Sequence, residues 1–112
     1  MKRGDVVTVA DRTVYGGGKP RPAVIIQSDA FEATFTVLIC PFTSEEIEIP
    51  DMRFAVEPSP KNGLRARSWL MLDKITPVQR AKIGNRIGSL AAADMGRANR
   101  ALAVVLGLGD RV

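Results

Sequence analysis

The side chains of this chain that can handle charge and protons are arginines, lysines, carboxylates and hydroxyls. Histidine is absent, and cysteine occurs once, at Cys40. The lack of histidine removes the commonest general base and the commonest metal ligand. Cys40 lies inside the apolar run Thr36-Val37-Leu38-Ile39-Cys40. A free thiol there packs as a small hydrophobe, so Cys40 reads as structural rather than nucleophilic. One cysteine also makes no internal disulfide. What remains is charge: 16 Lys and Arg against 12 Asp and Glu in 112 residues, net +4, arranged in blocks. Lys2, Arg3, Arg12, Lys19 and Arg21 make the first block basic. Glu45, Glu46, Glu48, Asp51 and Glu57 surround Arg53 in an acidic block. Lys61, Arg65, Arg67, Lys74, Arg80, Lys82 and Arg86 face only Asp73 in the next. Two basic blocks divided by an acidic one suggest a polyanion-binding face with a limit to it. A plain solvated surface accounts for the charge equally well.

Within these blocks, Arg21 precedes the apolar run Pro22-Ala23-Val24-Ile25, and Thr43-Ser44 closes the run that begins at Phe35. An arginine fork can grip two phosphate oxygens. A threonine hydroxyl can donate to the same group. Taken alone, Arg21 also reads as a surface cation, and Thr43-Ser44 as a strand-end turn. Trp69, in Ser-Trp-Leu-Met-Leu, reads as core or interface before it reads as a base-stacking platform. Arg65 and Arg67 either track a nucleic-acid backbone or are simply solvated.

The elements that must position these residues are short. Residues 5–10 are β-branched and predict a strand. Gly16-Gly17-Gly18 before Lys19-Pro20 predicts a loop, and no Gly-Lys-Ser/Thr follows to make it a phosphate-cradling motif. Ala23 to Gln27 predicts a second strand, buried on both faces or lining a barrel. A turn at 28–31 leads to a third strand from Phe35 to Phe42, broken by Pro41. Residues 47–49 and 53–56 predict short peripheral strands, and Asn62-Gly63 a tight turn. Residues 68–73 predict a strand that continues past a kink through Lys74 to Val78. Then the period changes. Met95, Ala98, Leu102 and Val105 recur at helical steps between Ala92 and Leu106, with Gly107 as the stop. Ala91 is no cap, but Leu90 and Met95 can staple the entry.

Five to seven short antiparallel strands and one C-terminal helix predict a small, partly open β-barrel. No linker or repeat divides residues 1–112, so one domain is expected. No stretch is long and apolar enough to cross a membrane, and no signal-peptide core follows Met1. A cytoplasmic protein with no membrane contact is therefore expected.

Five segments, in order and at matching spacing, resemble the MazF/PemK toxin family over essentially the whole chain. They are Arg3 to Val7, Lys19-Pro20-Arg21-Pro22-Ala23-Val24-Ile25, Val37 to Thr43, Gly63-Leu64 with Ser68 to Ile75, and Ile87 to Leu90 with Ala101 to Leu108. The resemblance implies an SH3-like barrel with a terminal helix, a homodimer, and single-stranded RNA as substrate. It implies the toxin half of a toxin–antitoxin pair, an acidic cognate antitoxin, and no metal or other cofactor. Its catalytic arginine and threonine fall on Arg21 and Thr43. Lys19, Ser44, Arg65, Arg67 and Arg12 are then candidates to bind the RNA. The chain departs from the family in a short Gly-rich first loop and an unusually acidic stretch from Glu45 to Glu57.

RNA carries its own nucleophile, the 2′-hydroxyl, so its cleavage needs positioning, charge stabilisation and proton transfer. An arginine pKa above ~12 makes Arg21 a poor proton acceptor near neutral pH. It is better read as an electrostatic clamp, which leaves a water, Glu45 or Glu46 as the base. Two other readings keep the fold: a CcdB-like toxin that binds DNA gyrase, and an inactive nucleic-acid-binding module. The tail Leu108-Gly109-Asp110-Arg111-Val112 has no tryptophan for a gyrase contact of that kind.

Overall fold

The computed structural model describes residues 1–10 and 19–109. Arg12, the triple glycine of the first loop, and Asp110 to Val112 lie outside the described residues. Among the described residues are seven strands and one α-helix: β1 (Asp5–Val9), β2 (Arg21–Ile25), β3 (Thr36–Thr43), β4 (Arg53–Val56), β5 (Ser68–Met71), β6 (Thr76–Gln79), β7 (Ile83–Ser89) and α1 (Ala92–Val105). Every pairing is antiparallel. The strands run in the order β4-β5-β3-β2-β1-β7, with β6 also paired to β3. Among the described residues no pairing joins β7 to β4, so the sheet is barrel-like without being closed.

The central strands are buried on both faces because their side chains alternate between two cores. Val6, Val24, Cys40 and Phe42 enter one hydrophobic cluster, which Ala98, Ala101 and Leu102 of α1 cover. Val7, Val9, Ala23, Ile25, Val37 and Ile39 enter the other, closed by Val78 of β6 with Ile83 packed against it. The two-faced burial expected of Ala23 to Gln27 is thus met by a sheet whose flanking strands curl over its second face.

Pro41 does not break β3. One edge of β3 pairs with β6 through Thr36–Ile39 and with β5 through Phe42 and Thr43. Pro41 falls where that edge changes partner, so its missing N–H costs no ladder bond there. The strand expected past a kink is present: β5 and β6 follow one another along β3, and their registers differ by three residues across the connection at 72–75.

Two further expectations need correction. Residues 47–49 form no strand; Ile49 makes an isolated bridge to Arg53, in a segment dominated by charge and proline. Ile87 to Ser89 are not simply a lead-in to the helix but the end of β7, which pairs with β1 through two irregularities. Two glycines hide this strand from a propensity reading, and the packing requires both. A Cβ on Gly84 would lie 2.5 Å from Thr8 Oγ1, and one on Gly88 2.4 Å from Lys61 O.

The Asn62-Gly63 turn is built by the buried Asn62 side chain. Its Oδ1 accepts from the N–H groups of Ser59 and Leu64, and its Nδ2 donates to Glu57 O. The helix begins without a side-chain cap at Ala91 and ends at Leu106 and Gly107, whose φ is +72°. Gly107 N–H donates to Val104 O and Leu108 N–H to Ala103 O, which satisfies carbonyls a helix end leaves open.

Candidate active site

Arg21 opens β2 and is exposed; Thr43 ends β3 and is half-buried. The two strands pair Ala23 with Pro41, Val24 with Cys40 and Ile25 with Ile39. Carried on for two residues, the same register sets Arg21 against Thr43, with side-chain origins ~5 Å apart. The row extends in both directions. Val9 of β1 pairs with Arg21, Trp69 of β5 with Thr43, and Ala55 of β4 with Trp69. Alternation puts Arg21 on the face of Ala23 and Ile25, and Thr43 on the face of Ile39. A charged fork and a hydroxyl therefore stand together at the open end of the second hydrophobic cluster.

Thr43 is oriented by its own backbone. Its Oγ1 accepts from Glu45 N–H at 3.1 Å, a local turn that leaves the hydroxyl proton free to donate. Among the described residues the Arg21 side chain makes no hydrogen bond or ion pair. Glu45 and Glu46, considered above as bases, follow directly and are both exposed, as is Ser44. Lys19 is exposed two residues before Arg21, and Arg65 is exposed in the turn before β5. Arg12 lies outside the described residues.

Arg67 is better placed than its sequence context suggested. Its guanidinium lies 5.1 Å from the centre of the Trp69 ring, and its Nε is 3.4 Å from Glu57 Oε1. Trp69 is buried, as its apolar context implied, yet its Nε1 has no hydrogen-bond partner among the described residues. Arg67 immediately precedes β5 in extended order, so it falls on the same side of the strand as Trp69, two residues on. The partnership with Thr43 did not show in the sequence at all.

A second polar pair buttresses the same sheet. Arg53 donates to both carboxylate oxygens of Asp73, each at 2.9 Å. That hydrogen bonding holds the Asp73 carboxyl below its ordinary range and raises the Arg53 guanidinium, with Glu45 adding to the latter. Cys40 behaves as expected of a core thiol: fully buried, with burial pushing its pKa up to about 12. A groove of about 470 Å³ lies elsewhere, between α1 and residues 48–54; neither Arg21 nor Thr43 lines it.

Fold and site together define a small curled antiparallel sheet that presents a cationic fork beside a hydroxyl at the ends of paired strands, with further cations close by. The model of the PemK-like, MazF-like toxins of type II toxin–antitoxin systems matches residues 2–106, and the chain belongs to that family. It is 48% identical over 108 residues to a protein of Mycolicibacterium smegmatis named a probable endoribonuclease MazF, covering 96% of this chain and 98% of the relative. Among solved structures it resembles an endoribonuclease in complex with its cognate antitoxin from a mycobacterial species. That match has a TM-score of 0.80 at 27% identity and covers 99% of both chains. It also resembles a MazE–MazF structure from Deinococcus radiodurans, with a TM-score of 0.74 at 20% identity over 97% of each chain, a likeness of fold alone.

Proposed function

We propose that this chain is the endoribonuclease of a type II toxin–antitoxin pair, and that it cleaves single-stranded RNA by attack of the substrate's own 2′-hydroxyl. The observation that carries the reading is the register of β2 and β3, which, carried on for two residues past Ala23 and Pro41, sets Arg21 beside Thr43 at the adjacent ends of the two strands. The named activity of the 48%-identical relative supports the same reading. Arg21 grips two non-bridging oxygens of the scissile phosphate and stabilises the charge that develops on them. Thr43, held by the Glu45 amide, donates its hydroxyl proton to that phosphate. Holding the 2′-oxygen in line with the leaving 5′-oxygen supplies the rest of the acceleration. The 2′-hydroxyl gives its proton to a water or to Glu45 or Glu46, its oxygen bonds phosphorus, the bond from phosphorus to the 5′-oxygen breaks, and that oxygen takes a proton from solvent, so the products carry a 2′,3′-cyclic phosphate and a 5′-hydroxyl.

In this reading the active protein is a homodimer, and Lys19, Ser44, Arg65 and Arg67 extend the site along the RNA backbone. An acidic antitoxin segment occupies the same cations and competes with RNA, more weakly as salt rises. The resemblance to a toxin solved with its antitoxin supports that partner.

The test is incubation of purified protein with a long single-stranded RNA in EDTA, followed by analysis of the product ends. Cleavage to cyclic phosphate ends, blocked by a 2′-deoxy sugar at the cut site, is the expected result. Loss of activity in EDTA, or a 5′-phosphate product, would overturn the mechanism. DNA gyrase inhibition without RNA cleavage would overturn the function.

A further inference from the structure

Trp69 holds a position that its burial alone does not explain. It stands directly opposite Thr43, next but one in the row to Arg21. Its side chain is 5% exposed, and its indole N–H is buried without a partner among the described residues. Indole nitrogen is a donor only. A buried donor left without an acceptor is destabilising and calls for an explanation. Part of the cover over this ring is loose. Arg67 lies over the ring with a side chain 52% exposed, and its ion pair partner Glu57 is 67% exposed. Exposed pairs of this kind hold weakly.

We infer that Trp69 is a specificity-determining residue of the RNA site: a nucleotide adjacent to the scissile phosphate displaces Arg67 from the indole face and stacks there, and the neighbouring nucleotide, lying against the ring edge, supplies the acceptor for the Nε1 proton. This rests on the RNA-cleaving reading above. The displacement has a physical drive. A phosphate accepts two parallel hydrogen bonds from a guanidinium, a stronger arrangement than the single exposed contact to Glu57. Arg67 thus moves from an aromatic face to the backbone of the nucleotide that replaces it. The ring it leaves is a stacking surface for any base. The indole N–H then selects the base at its edge, beside the stacked one, by whether an oxygen or ring nitrogen falls in line with it, and a buried donor left unmet by the wrong base gives strong discrimination.

Trp69 is the chain's one tryptophan, so emission excited at wavelengths beyond the absorption of Tyr15 reports this ring alone. Cut sites are first mapped on a random-sequence RNA pool. An oligonucleotide spanning one of them, with a 2′-deoxy sugar at the cut, serves as the uncleavable probe. Its binding is followed by the anisotropy of a terminal dye, and in a parallel unlabelled titration by tryptophan emission. The expected result is a change in emission with the same midpoint as the anisotropy. Arg67→Ala makes the free ring more accessible to acrylamide and weakens probe binding. Trp69→Phe keeps a stacking ring and loses the donor, so its cut sites lose discrimination roughly tenfold or more at one nucleotide position. Trp69→Leu loses the stack as well and binds roughly ten- to hundredfold more weakly.

Probe binding with unchanged tryptophan emission overturns the inference and leaves the nuclease reading intact. So does a Trp69→Phe enzyme with an unaltered cut-site profile, a readout that a purely packing role does not move. If the protein neither binds nor cleaves RNA, both readings fall together. Arg67→Ala carries the test if the Trp69 variants do not fold.

Discussion

Thr43 and Trp69 face each other across β3 and β5, so a hydroxyl free to donate sits beside the one aromatic ring whose N–H lacks a partner among the described residues. The pairing gives the candidate site two sides. In the proposed reaction Arg21 and Thr43 address the phosphate, and Trp69 under Arg67 lies one strand further along the row.

Arg21→Lys is expected to be nearly as damaging as Arg21→Ala. Lysine keeps the charge but loses the planar two-pronged grip, so it anchors the phosphate without fixing its direction. In-line attack tolerates little misplacement, and the loss should be ~10²-fold in the chemical step. Thr43→Ser keeps both the acceptor for the Glu45 amide and the donor for the phosphate, and should be mild. Thr43→Val loses both and should cost about 10²–10³ in rate. Single-turnover cleavage measured beside thermal unfolding checks all four. A fully active Thr43→Val enzyme would remove Thr43 from the site.

Asp73 should make stability depend on acid pH. Its folded pKa is lowered by the hydrogen bonds from Arg53. The pair therefore stabilises the fold above the unfolded carboxylate pKa of ~3.9, and the contribution is lost as pH falls through the lower folded value. Asp73→Asn leaves Arg53 largely buried without its counter-charge and should cost about 2 kcal/mol at neutral pH. Denaturant midpoints from pH 7 down to pH 2 should show wild type and Asp73→Asn converging at the acid end. A gap that stays constant across this range would contradict the assignment.

Gly63 should resist substitution more than its place in a turn suggests. Its φ is +70°, and a Cβ there would lie 2.0 Å from Ile87 O on the neighbouring chain segment. Gly63→Ala is expected to cost on the order of 3 kcal/mol, the backbone and overpacking penalties combined. For a domain of this size that is a fall in Tm of at least about 10 °C. Gly107 has a similar φ of +72° but open space at its Cβ. Gly107→Ala should therefore show only the backbone part, about 1 kcal/mol. Equal losses at the two positions would mean that the Ile87 contact does not matter.

Cys40 should be chemically silent in the folded protein. It is fully buried, and with a pKa pushed up to about 12 its thiol stays protonated across the physiological range. A thiol-specific reagent at pH 8 should label it only as fast as the protein opens, with the full rate appearing in denaturant. Rapid labelling of folded protein would place the thiol nearer the surface than β3 allows.

The sequence by itself determined the features that rest on neighbours along the chain. The β-branched run of β1, the apolar run of β2, the Asn62-Gly63 turn and the three- and four-residue steps of α1 each carry their signal within a few residues. Burial of Cys40 was legible for the same reason, since an uninterrupted apolar run has nowhere else to go. Arg21 and Thr43 were legible as candidates through the family resemblance, because flanking segments repeat a known pattern. Only the tertiary structure decided that Arg21 and Thr43 share a row, for that depends on the register of strands whose residues are 22 positions apart. It also decided that β3 runs through Pro41, because the cost of a proline depends on whether a ladder bond is wanted at that point. It revealed β7, whose glycines suppress strand propensity while meeting contacts from β1 and from the 61–62 turn that no local pattern displays. The orphaned donor of Trp69 belongs with these. Whether a buried N–H has a partner is a property of every atom around it, and those atoms come from parts of the chain that meet only on folding.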